Sequence, residues 1–231
     1  ISNLMKTVLY CDIFNDTLSS HFNNSSSTLA AGMNYNYNFK KGNISLGANW
    51  QDNRIKTVSI LNDSVYVQKY ASILPFASYN FSSKGKRFSL NYNYGTRAPQ
   101  PLQLQKIIDN SNPLFLRLGN PALKFSSTHR FGYALNFYYQ KPKISINSSG
   151  SFNFTLNNIS TSTIYDKSTG VQISMPVNLN GARNGFTRLY LSKQMKIFGK
   201  NDSWYVNGSF NFNRTVSLLD YQQNINEMLN Q

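Results

Sequence analysis

Glutamate is almost missing from this sequence: Glu227 is the one instance in 231 residues. All acids together number nine, against 23 lysines and arginines, for a net charge of +14. Strong helix formers are sparse, while Asn, Ser, Tyr and Phe are abundant, which argues for strands and turns. The single cysteine, Cys11, excludes an intrachain disulfide. The two histidines, His21 and His129, lie far apart and have no acidic or cysteine neighbour, so no metal site is expected. Paired carboxylates for hydrolysis are absent, and no Ser/His or Asp/His pair can be assembled. The sequence therefore predicts neither an enzyme nor a cofactor. No apolar run is long enough for a transmembrane helix. No export signal opens at Ile1, so an exported protein would carry that signal upstream.

What is present is period-two alternation. Met33, Tyr35, Tyr37 and Phe39 alternate with asparagines. Ile44, Leu46, Ala48 and Trp50 alternate with Asn43, Ser45, Gly47 and Asn49. The pattern recurs over Phe88–Tyr94, Arg130–Tyr139, Lys143–Phe154 and Trp204–Asn213. Each is a strand with one apolar and one polar face. Val65–Phe81 carries Pro75 and shifts phase. Phe186–Met195 carries large side chains on both faces. Both are still read as strands.

The connections predict the architecture. Tight basic turns (Lys40–Asn43, Ser82–Lys86, Gln140–Lys143, Ile197–Asp202) alternate with long polar loops (Asp12–Ser27, Gln51–Ser64, Thr96–Ser126, Asn158–Asn184). Short turns at one end and long loops at the other predict an antiparallel up-and-down transmembrane β-barrel. The 33 aromatic residues would overfill a small soluble barrel, whereas pointed into lipid they are accommodated. Trp50, Tyr92, Tyr94, Tyr139 and Trp204 fall near strand ends, where Tyr and Trp favour the membrane interface. About nine strands are expected. Leu218–Gln231 is polar and is expected not to form one. An odd count in one barrel domain, 1–231, predicts part of a larger barrel.

The basic turns (Lys40, Lys41, Lys84, Lys86, Arg87, Lys141, Lys143, Lys196, Lys200) suit anionic headgroups. Aromatics that share faces with Ile and Leu, away from the lysines, argue against a nucleic-acid partner.

One stretch is more specific. Tyr94-Gly95-Thr96-Arg97-Ala98-Pro99 leads to Leu102-Gln103-Leu104, then Asp109-Asn110-Ser111-Asn112-Pro113-Leu114. Gly119-Asn120-Pro121-Ala122-Leu123-Lys124 follows, with His129 at the start of the next strand. This succession resembles the outer-membrane β-barrel family of TonB-dependent receptors, most closely across Tyr94–Tyr139. Val177-Asn178-Leu179-Asn180-Gly181 agrees in style. Phe125-Ser126 stands where that family usually has Pro-Glu.

The resemblance implies a bacterial outer-membrane location and uptake of a captured substrate through the barrel. It implies outer-membrane lipid and lipopolysaccharide as surroundings, a surface lipoprotein as a further partner, and the TonB system as energiser. TonB would act through a plug domain that this sequence does not contain. Arg97, Pro99, Asp109, Asn110, Asn112, Pro113, Gly119, Asn120, Pro121 and His129 are expected to shape an external loop, with Asp109 in an Asx turn. Arg54, Lys56, Lys106, Arg117 and Arg183 are the candidate substrate-binding loop cations. A plug-less porin or structural barrel is the alternative, and a soluble basic β protein binding polyanions a further one.

Overall fold

The computed structural model describes residues 22–59, 65–105 and 108–231. They form one 13-stranded, almost entirely antiparallel sheet that is not closed. Its main wall runs up and down through β1 (Phe22–Phe39), β2 (Gly42–Ser59), β3 (Val65–Ser83), β4 (Lys86–Arg97), β7 (Ser126–Tyr139), β8 (Ile144–Leu156), β11 (Ala182–Ile197), β12 (Lys200–Leu219) and β13 (Gln222–Asn230). Two inserted hairpins extend the sheet beyond the wall. One is β5 (Ile108–Asn112) with β6 (Phe115–Leu118). The other is β9 (Asn158–Tyr165) with β10 (Gln172–Leu179). A single helical turn, α1 (Pro101–Leu104), lies between β4 and β5.

The tight turns follow from residue chemistry. Lys84-Gly85 and Phe198-Gly199 both hold positive φ at two consecutive positions, the mirror-image turn whose twist matches that of paired strands. Asp220-Tyr221 adopts the same conformation, but at the end of the sheet where long loops were expected. The strict alternation of short and long connections therefore fails there. Leu218–Gln231 is also strand rather than tail: β12 continues to Leu219 and β13 pairs with it from Gln222 to Asn230. Nine wall strands are present among the described residues, but the last stands where none was expected.

The strands are longer than their hydrophobic patterns. β2 continues to Ser59, through most of the expected loop Gln51–Ser64, paired with β1 and β3. β12 has 20 residues, about 66 Å of extended chain, where a membrane strand needs roughly 10 residues. The upper halves of these strands thus stand above the apolar belt.

Register settles the faces. Tyr35, Leu46, Ala77, Tyr92 and Phe131 lie in cross-strand succession on one face. Phe152, Gly185 and Phe212 continue the row. On the opposite face, Asn36, Ser45, Ser78, Asn91 and Gly132 are in succession. Leu189 and Leu191 fall on the apolar face, and Phe186 and Tyr190 on the polar one. β3 keeps one register through Pro75, whose partner is Ala48. Pairing with β4 stops at Phe76–Asn93, so Pro75, with no N–H to donate, stands where that flank is free.

Buried apolar side chains are few among the described residues: Ile55, Leu123, Val216 and Pro99. All four lie at the long-loop end. The apolar face has no protein cover among the described residues; Met33 is 84% exposed and Ile73 66%. Such a face requires lipid. Tyr133 shows how a polar atom is accommodated on it. Its ring lies over Gly150, where a Cβ would come within 2.6 Å of the ring. Its hydroxyl hydrogen-bonds with Ser148 and Thr187 on the two strands beyond.

Candidate functional site: a capped mouth and a polar inner wall

The long-loop end is an ordered cap. After β4 the chain turns inward at Pro99, which is fully buried. Gln100 and Gln103 cap α1 reciprocally, and the Gln103 amide bonds back to the Gln100 carbonyl. Gly119 packs against Gln105 so tightly that any Cβ would overlap the Gln105 carbonyl oxygen. Asn120 closes the next turn by accepting the Ala122 N–H at 3.0 Å, and its own amide reaches the Pro176 carbonyl at 2.9 Å. The carbonyls of Pro121 and Leu123 accept hydrogen bonds from Gln68 and Tyr70, at 3.1 and 3.4 Å. Phe125 packs at a tilt against Tyr70, whose phenol burial shifts to a pKa above its ordinary value. Gln68 and Tyr70 are on the polar face of β3, so this loop lies across the inner side of the mouth.

The second hairpin fastens to the first. Asn178 accepts the Lys124 N–H at 2.7 Å and donates to the carbonyls of Lys124 and Asn157, at 3.0 and 2.8 Å. β10 pairs in parallel with β6, and β9 with the top of β12. Ser160 donates to the Val216 carbonyl at 2.5 Å, and Asp220 accepts the Tyr165 N–H at 2.8 Å. One hydrogen-bonded frame therefore links β3 to β12 across the wall strands between them. At the tip of the second hairpin, the Asp166 carboxylate accepts from the Ser168 N–H, the Ser168 hydroxyl and the Thr169 hydroxyl, at 2.9, 2.6 and 2.7 Å. These bonds, the Ser168 hydroxyl foremost, hold its pKa at about 2.

The predicted loop residues occupy distinct places. Arg97 ends β4 on the polar face. Asp109 and Asn110 are in β5, with Asp109 opposite Arg117. An Asx turn forms at Asn112, whose Oδ1 accepts the Leu114 N–H at 3.1 Å. Pro113 follows in that turn. His129 is not in the cap: it lies on the apolar face of β7, among Tyr92, Tyr94 and Phe154.

The candidate loop cations divide. Arg117 lies in the cap on β6, 5.2 Å from the Phe115 ring. Lys106 lies outside the described residues. Arg54, Lys56 and Arg183 are not loop residues. Arg54 and Lys56 belong to β2, on the face of Trp50, and Arg183 to β11, over the outward Phe212 ring at 5.8 Å. All three point away from the interior.

The interior has its own cations. Arg87, Arg97, Arg130 and Arg188 lie on the polar face at successive heights, and no acid shares that face among the described wall strands. The alternation already placed Arg87 and Arg130 among the polar residues. Arg188 was hidden by the mixed faces of its segment. A groove of about 600 Å³ on this wall is lined by Asn136, Asn147, Ser149, Arg188, Tyr190 and Asn207. The groove supplies hydrogen-bond donors and positive charge, a surface for polar or anionic solutes. Among the described residues no three His, Cys, Asp or Glu side chains converge on a metal position.

No curated protein matches the chain. Among solved structures, the chain is similar to the siderophore receptor PirA from Pseudomonas aeruginosa, with a TM-score of 0.48 and 10% identity. That alignment covers 92% of this chain and 51% of the receptor, so the chain spans about half the receptor's length. The model of an outer membrane protein beta-barrel family matches residues 11–231. With its uncovered apolar face, its polar inner wall and this match over nearly its whole length, the chain belongs to the outer membrane protein β-barrel family and resides in the bacterial outer membrane.

Proposed function

We propose that this chain forms barrel wall and extracellular cap of a TonB-dependent uptake receptor, and that it does no chemistry of its own. The observation that carries the reading is the cap. Two hairpins and a helical turn are fastened over the inner side of the mouth, where they can hold a solute at the entrance. The succession from Arg97 to His129, resembling that receptor family, supplies the turns that build most of it. A solute held by the cap would pass along the groove of Asn136, Arg188 and Tyr190. The energising system would act through a plug domain, and a surface lipoprotein would assist capture.

Depletion of solutes from the medium tests this, comparing wild-type cells with a deletion strain. Uptake that depends on the gene and stops when the inner-membrane proton gradient is dissipated supports the receptor. Gene-dependent uptake that continues without the gradient identifies a porin and overturns the proposal.

A further inference from the structure

The misplaced cations point to a site on the outside. Arg54 stands directly opposite Lys69 across the β2–β3 ladder, and Lys56 is one outward position higher. All three are exposed. Like charges directly opposite each other on a sheet repel, at Cβ separations near 5 Å. This pair cannot slip apart, because the β2–β3 register runs unbroken from Gly42–Phe81 to Val58–Val65. Acid nearby is insufficient: Asp52 is one outward position below Arg54, opposite Ala71. The one ion pair among the described residues is Arg214–Glu227, elsewhere on the wall.

Height matters as much as charge. Trp50 and Ile73 form the last pair of large apolar side chains below the cations on this ladder, and Trp marks the membrane interface. Arg54 follows Trp50 by four residues, about 13 Å along the strand and roughly 10 Å in height at ordinary barrel tilt. On the long-loop side of an outer-membrane barrel, that level holds the phosphorylated sugars of lipopolysaccharide.

We infer that Arg54, Lys56 and Lys69 form a phosphate-binding site for lipopolysaccharide on the outer wall, with the acyl chains lying against Trp50, Ile73 and Leu29 below. Phosphate between the cations would turn a repulsive pair into an attractive bridge. The site is independent of any uptake role.

Native protein would be purified from outer membranes in mild detergent, and its lipopolysaccharide measured. A triple variant, Arg54→Gln, Lys56→Gln, Lys69→Gln, would be compared with wild type and with Arg130→Gln/Arg188→Gln on the inner wall. We expect the outer-wall variant to bind lipopolysaccharide roughly a hundredfold more weakly, about fivefold per cation. The inner-wall variant should match wild type. Phosphatase-treated lipopolysaccharide should fail to rebind, and millimolar inorganic phosphate should not compete. In lipopolysaccharide-free detergent the outer-wall variant should unfold no earlier than wild type, since its loss relieves repulsion. Should the triple variant lose its heat-shifted band, Arg54→Gln alone serves, with a fivefold loss expected. Equal retention by wild type and variant overturns the inference. So does undiminished binding of the dephosphorylated form, or competition by phosphate, which would identify a free-anion site.

Discussion

The phenol oxygen of Tyr92 lies 2.9 Å from Nδ1 of His129, across the β4–β7 ladder on the lipid-facing side. The two rings stack, and Tyr94 and Phe154 close the cluster. A neutral hydrogen bond contributes about 0.5–1.5 kcal/mol. Tyr92→Phe is expected to lower unfolding free energy by that amount in a urea titration of the detergent-solubilised protein. An unchanged midpoint would show the bond to be dispensable.

The two faces can be told apart by one charge. Leu90 lies near the middle of the lipid belt, between Tyr79 and Tyr133, and Asn80 lies on the inner wall, between Asn43 and Ser89. Leu90→Arg should destabilise by about 2–4 kcal/mol in lipid, and Asn80→Arg by well under 1 kcal/mol. Folding titrations in vesicles read both. Equal costs would mean the faces are reversed.

Gly119 is where the cap is locked. Gly119→Ala forces a methyl group onto the Gln105 carbonyl, a distortion worth roughly 1–3 kcal/mol. Protease added to whole cells should then cut the cap faster, while the barrel keeps its heat-shifted band. Cleavage at the wild-type rate would contradict a locked cap.

Asp166 gives the cap an acid sensitivity. Its folded pKa, about 2, lies below the ordinary value near 3.9. The turn is therefore fully supported above about pH 4, and its support is lost as pH falls toward 2. Amide exchange at Ser168, corrected for intrinsic rates, should accelerate over that window and not between pH 5 and 7. Asp166→Ala should show the fast rate at every pH.

The inner arginines predict selectivity. Neutralising Arg87, Arg130 and Arg188 to Gln should reduce uptake of anionic solutes relative to neutral ones of equal size. An unchanged ratio would remove the inner wall from selection.

The sequence disclosed this fold where the chain meets lipid and concealed it elsewhere. From Ile44 to Trp50 one face is apolar and the other polar, so period two is plain. From Gln51 to Ser59 the same strand continues above the lipid, with exposed Arg54 and Lys56 on its outer face and buried Ile55 and Thr57 on its inner face, so the lipid-facing alternation does not persist. That is why Arg54 and Lys56 resemble loop residues, and why β13 resembles a tail. The cap was visible as turns, through Asn112-Pro113 and Gly119-Asn120-Pro121, but not as an assembly. The bonds that join it, such as Asn178 to Lys124, span 54 residues and leave no local pattern.

The near-absence of buried apolar side chains among the described residues has a further meaning. Ile55, Leu123 and Val216 cannot by themselves drive the collapse of a wall this large. Its hydrophobic core lies outside the protein and consists of lipid. In water the chain has nothing to fold around, so the membrane acts as the missing half of the folding information, and insertion and folding become a single event.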